Sequence, residues 1–124
     1  MNRQELAKYK SELMARKAET IQSSRRREEI QVERAADAAD EVTLASGREF
    51  AMRLLDSDAR KLKEIQAALD RIQDKSYGIC LACEEKILPK RLNAVPWASY
   101  CVSCQEKHDR MEREDVPIEF QQAA

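Results

Sequence analysis

Punctuation is the first thing missing from this chain: its 124 residues hold two glycines, Gly47 and Gly78, and no proline precedes Pro89. Tight turns and left-handed backbone are therefore nearly excluded from the first three fifths of the sequence. Aromatic residues are also scarce, at 5%, against 36% charged residues. That balance argues against a broad core and hence against a compact globular enzyme. No run of about 18 apolar residues occurs, and Met1-Asn2-Arg3-Gln4-Glu5-Leu6 leads into charged sequence, so neither a membrane-spanning helix nor an apolar signal core is expected. The cytoplasm is the expected compartment, with no membrane partner. A surplus of positive charge is missing as well: the formal net charge is -1, and four thiolates around one divalent cation would add two further negative charges. The chain as a whole thus lacks the basic surface that binding by phosphate neutralisation requires.

What remains is helix-forming sequence rich in Ala, Leu and Gln. From Ala51 the positions Ala51, Leu55, Asp58, Leu62, Ile65, Leu69 and Ile72 advance by alternating steps of four and three, the seam of a coiled coil, with Asp58 as its one interruption. An earlier helix over about 3 to 34 places Leu6, Tyr9, Leu13 and Ile21 on a looser stripe before turning polar around Arg25, Arg26 and Arg27. Those arginines are followed by Glu28, Glu29 and Glu33 and read as a solvated face with pairing along one rod. Between the helices Asp37 or Asp40 is placed to cap the second one. Nothing in the residues there forces a reversal, so the same pattern permits a hairpin, a continuous helix or pairing with a second chain. Gly78 is expected to end the second helix in a left-handed conformation. A last helix should run from near Cys101 to about Asp115, before Pro117 and a tail.

The strongest chemical signal is Cys80-x2-Cys83, seventeen residues, Cys101-x2-Cys104. Two close pairs at this spacing supply the corners of a tetrahedron, and in a reducing compartment they point to one structural Zn2+ ion rather than to disulfides. Four protein ligands leave no position for an activated water, so a catalytic metal is not expected. His108 then reads as a surface residue. The lysines Lys86 and Lys90 with Arg91 could touch phosphate, and with Arg25 to Arg27 they define an alternative: a nucleic-acid-binding zinc ribbon that dimerises through its coiled coil, with an affinity that falls steeply with salt. A thiol oxidoreductase is a third class, since a C-x-x-C pair exchanges disulfides when one thiolate is activated.

The stretch Asp37-Ala38-Ala39-Asp40-Glu41-Val42, the heptad helix after it, Tyr77-Gly78-Ile79-Cys80, and Arg91-Leu92-Asn93-Ala94-Val95-Pro96 before the second pair together resemble the DksA/TraR family over nearly the whole chain. The resemblance implies a mainly α fold: a long antiparallel two-helix coiled-coil hairpin over 1–75 with an acidic tip near 35–43, a four-cysteine zinc-finger module with a C-terminal helix over 76–115, and a tail over 116–124. It further implies a non-enzymatic regulator that binds RNA polymerase directly, without sequence-specific DNA recognition. In the family the hairpin enters the secondary channel of the polymerase, and acids at its tip, matched here by Asp37 and Asp40, come near the catalytic centre and modulate initiation. Four positions depart from the family pattern. Val42 replaces the alanine that usually closes the tip motif. Glu84 replaces a frequent glycine after the first cysteine pair. Ser57 and Glu64 stand where the family's archetype carries basic side chains that help bind the alarmone ppGpp against polymerase, and a glutamate repels phosphate.

Overall fold

The computed structural model describes residues 1–37 and 40–114. Two long helices dominate it, α1 (Arg3–Asp37) and α2 (Glu41–Gln73), the latter about 50 Å long at 1.5 Å per residue. Each start has a local cause. Asn2 accepts the Glu5 amide proton on Oδ1 at 2.8 Å, closing the first turn of α1. Asp40, in an extended conformation, caps α2 by accepting from the Val42 amide. The end of α2 differs from expectation. The Ser76 amide donates to the Arg71 carbonyl at 2.9 Å and the Lys75 amide to the Ile72 carbonyl, with Lys75 at φ 63, so a lysine rather than Gly78 takes the left-handed cap. Gly78 uses its φ of 84 three residues later, inside the cysteine loop.

The helices are antiparallel. Lys17 Nζ donates to Gln66 Oε1 at 2.9 Å and Ser24 Oγ to Asp58 Oδ2 at 3.0 Å, so partners step backward along α2 as they advance along α1. The chain therefore reverses between Asp37 and Asp40, and a continuous rod is ruled out. All seven seam positions from Ala51 to Ile72 are wholly or partly buried, with Ile65 fully so. On α1 the expected Leu6, Tyr9, Leu13 and Ile21 are wholly or partly buried, but the stripe also takes in Thr20 and continues past Ile21 as Ser24, Arg27 and Gln31. Thr20 is tolerated there because its hydroxyl donates to the Arg16 carbonyl one turn back, at 2.7 Å. Arg27 does not serve the solvated face expected of it. It crosses to Asp58.

At the end of the hairpin away from the reversal, a short helix α3 (Pro89–Ala94) begins on Pro89, whose missing amide proton costs nothing in a first turn. It delivers Leu92 into the interior, and α4 (Val102–Glu114) follows the second cysteine pair. The tail expected after Pro117 lies outside the described residues. Among the described residues there is no strand, only an isolated bridge between Ile79 and Lys86. One core joins hairpin and loop region: Tyr9 and Leu13 from α1, Ile65 and Ala68 from α2, and Tyr77, Cys80, Ile87, Leu92 and Ala98 from the rest. Its polar atoms are matched, since the Tyr77 hydroxyl donates to the Pro96 carbonyl at 2.7 Å and the Tyr9 hydroxyl to Asn93 Oδ1 at 3.0 Å. The cysteine region thus folds onto the base of the hairpin instead of building a core of its own. No described helix is long and apolar enough to cross a membrane.

Candidate metal centre and hairpin tip

Each cysteine pair is shaped by backbone hydrogen bonds before any metal is considered. The Ile87 amide donates to the Gly78 carbonyl at 2.8 Å, the Cys80 amide to the Glu85 carbonyl at 2.8 Å and the Glu84 amide to the Cys80 carbonyl at 3.0 Å, curling the first pair into a knuckle. That curl needs a left-handed residue, and Glu84 supplies it at φ 62, a conformation glycine would adopt at lower cost. The Leu81 amide donates to the Ser99 carbonyl at 2.9 Å and so ties the first knuckle to the approach of the second. Cys101 precedes α4 and Cys104 lies in its first turn.

The four Sγ atoms lie within 4.8 Å of one another, and Cys83 and Cys101 are 3.9 Å apart. Thiolates at about 2.3 Å from a tetrahedral zinc ion sit about 3.8 Å from each other, so the donors are already spaced for that metal. Their acidities agree. Burial pushes the Cys80 thiol up, but the amides of Cys83, Cys101 and Ala82 outweigh it and bring the group down to about 6. The Cys101 thiol, and after it burial, push Cys104 up to about 12. Cys80 is ready as a thiolate at neutral pH, while Cys104 and Cys83, both raised, ionise readily only with a cation beside them. Cys80 is fully buried and Cys83 is exposed, so the site is anchored inside and open at one side.

The other candidates fall elsewhere. His108 stacks on Tyr100 with ring centroids 5.2 Å apart and reaches toward Glu112, separate from the cysteines. Arg91 turns its Nε to the Tyr100 carbonyl at 2.8 Å, whereas Lys86 and Lys90 are exposed. With Arg27 on Asp58, the basic residues of the nucleic-acid alternative do not form one patch.

Asp37 is the last residue of α1; its side chain, with Ala38 and Ala39, lies outside the described residues. Asp40 is exposed, with Oδ1 accepting from the Val42 amide at 3.0 Å and Oδ2 from the Thr43 hydroxyl at 2.9 Å. The Thr43 hydroxyl, followed by the Val42 amide, holds this carboxyl below the usual carboxylate range. Thr43 was not singled out in the sequence, although a hydroxyl three residues after a capping Asp is a readable signal. Val42 is 76% exposed beside it. Ser57 and Glu64 both face solvent on α2.

Residues 75–110 match the family described as the prokaryotic dksA/traR C4-type zinc finger. The RNA polymerase-binding transcription factor DksA of Caulobacter vibrioides is 35% identical over 116 residues, covering 91% of this chain and 82% of that protein. Transcription factor DksA2 from Pseudomonas aeruginosa superposes with a TM-score of 0.75 at 25% identity, covering 90% of this chain and 88% of that one. The DnaK suppressor protein from Agrobacterium tumefaciens C58 does so with a TM-score of 0.55 at 30% identity, over 82% and 91%. The clustered thiols and the C4-type match make this a zinc-binding chain.

Proposed function

The chain belongs to the DksA/TraR family, and from that premise we propose that it regulates transcription by binding RNA polymerase directly, entering the secondary channel with its hairpin tip to modulate initiation. The family consists of transcription factors rather than enzymes, so the chemistry remains the polymerase's own. In this reading Cys80, Cys83, Cys101 and Cys104 hold one structural zinc ion that locks the base of the hairpin, and Asp37 and Asp40 are the working residues of the tip. A regulator of this kind acts in the cytoplasm, alongside the polymerase. The resemblance brings the alarmone ppGpp to this surface as a co-ligand, and Glu64, where the family's archetype is basic, would repel its phosphates.

The observation that carries the proposal is the reversal between Asp37 and Asp40. It sets an exposed, ionised Asp40 at the end of an arm about 50 Å long, opposite the cysteine cluster. Capping and function do not compete. The two hydrogen bonds orient the Asp40 carboxylate and leave each oxygen a further lone pair facing solvent. A carboxylate so presented can bear on a magnesium-dependent centre reached through a narrow opening.

The test uses purified core polymerase with the wild-type chain, Asp37→Asn and Asp40→Asn. Asparagine still caps a helix, so the hairpin is retained. The expected result is that all three bind while the variants lose most of their effect on transcription. A wild-type chain that neither binds polymerase nor alters transcription would refute the reading.

A further inference from the structure

We propose that Asp58, gripped across the seam by Ser24 and Arg27, is a positioning clasp that determines where the hairpin tip points. The functional part of this inference rests on the polymerase reading above; the structural part does not.

An acid at a coiled-coil seam position interrupts the apolar zipper and needs a compensating partner. Asp58 has two on a single oxygen: Ser24 Oγ donates to Oδ2 at 3.0 Å, and Arg27 Nη1 donates to the same atom. The carboxylate side chain is only 15% exposed, so this contact is better shielded than a surface ion pair. Its place along the arm matters more than its strength. The fully buried residues of the seam, Tyr9, Leu13 and Thr20 on α1 and Ile65 and Ala68 on α2, all lie on the metal side of the clasp. From 21 to 36 and from 40 to 64, no described residue is fully buried. Gly47 stands in this stretch, and a methyl group added to it would meet nothing within 4 Å. On α1 the partly buried stripe ends, among the described residues, at Gln31.

The hairpin therefore has a zipped base and a sparsely packed outer part, joined at the Ser24–Arg27–Asp58 contact. From Asp58 to Asp40 the outer part of α2 spans about 27 Å, so a 10° splay at the clasp would carry the tip about 5 Å. For a carboxylate that acts by position, such a displacement matters. The bland alternative is a polar residue that only selects the helix register. It predicts that losing Asp58 loosens the whole hairpin, whereas a clasp predicts loosening on the tip side alone.

The test is amide hydrogen exchange on the zinc-loaded full chain, comparing wild type with Asp58→Ala and Asp58→Asn. For Asp58→Ala, exchange should rise about tenfold over 28–36 and 41–56 while 6–17 and 62–72 keep wild-type rates. Asp58→Asn retains an acceptor for both donors and should rise less than Asp58→Ala. A uniform rise along both helices, no rise, or an asparagine variant as loose as the alanine variant would each overturn the clasp. In the polymerase assay Asp58→Ala should bind within about threefold of wild type yet lose about tenfold in transcriptional effect. Equal losses in affinity and effect would contradict a positioning role. A wild-type chain inert toward polymerase would count against the polymerase reading and leave the exchange result to decide the clasp.

Discussion

The two glycines of this chain should respond to the same substitution with opposite signs. Gly47 lies inside α2 and an added Cβ has open space around it, with nothing within 4 Å. Glycine in a helix interior is less favourable than alanine by about 1 kcal/mol, so Gly47→Ala should stabilise by about that amount. Gly78 has φ 84, where an L-residue is strained by about 1–2 kcal/mol, and its Cβ would meet the end of the Met1 side chain and, at 3.7 Å, Leu92. The Met1 end is flexible and can move aside, so the backbone term dominates and Gly78→Ala should destabilise by about 1 kcal/mol or more. Urea denaturation of zinc-loaded protein followed by circular dichroism reads both. The midpoints should move in opposite directions, with melting temperatures displaced by about 4 °C per kcal/mol. A Gly47→Ala variant less stable than wild type would mean that the seam near the tip is filled by something this packing does not show. A neutral Gly78→Ala would refute the left-handed turn.

Two further outcomes follow from the site itself. The Asp40 carboxyl titrates below its ordinary value of about 3.9, so its cap contributes fully above that value and is lost as pH falls through the lowered folded value. Carbon NMR titration of Asp40 should show this, and Thr43→Val, which removes the largest cause, should move the titration back upward. Chelating the metal removes the cation that lets Cys83 and Cys104 ionise beside their neighbours. The loop around Trp97 should then loosen, shifting its fluorescence to the red, while the outer hairpin keeps its helicity. An unchanged Trp97 spectrum in metal-free protein would show that the shared core holds this region without zinc.

Periodicity made the second helix legible, because Leu62, Ile65, Leu69 and Ile72 are apolar at coiled-coil spacing and are wholly or partly buried in the structure as that spacing requires. The cysteine cluster was legible for a similar reason, two rigid pairs needing only to be brought face to face. Polar burial was not. Thr20 in the buried base and Ser24 and Arg27 farther out are polar seam residues of α1 that apolar spacing does not reveal, although Asp58 marks the counterpart of the last two. The left-handed turns at Lys75 and Glu84 were hidden because neither residue is a glycine. They are imposed by the hydrogen bonds of the helix end and of the knuckle. The reversal itself came from family resemblance, since Asp37 to Asp40 holds no glycine or proline and its capping potential is equally compatible with other pairings.

Contact between the tip and polymerase is tested most directly by a photo-crosslinking residue introduced at Val42, 76% exposed and next to the Asp40 cap. Irradiating the complex with RNA polymerase should join position 42 to segments that line the secondary channel beside the catalytic magnesium. A complex that forms normally, yet yields adducts from position 107 on α4 and none from position 42, would contradict it.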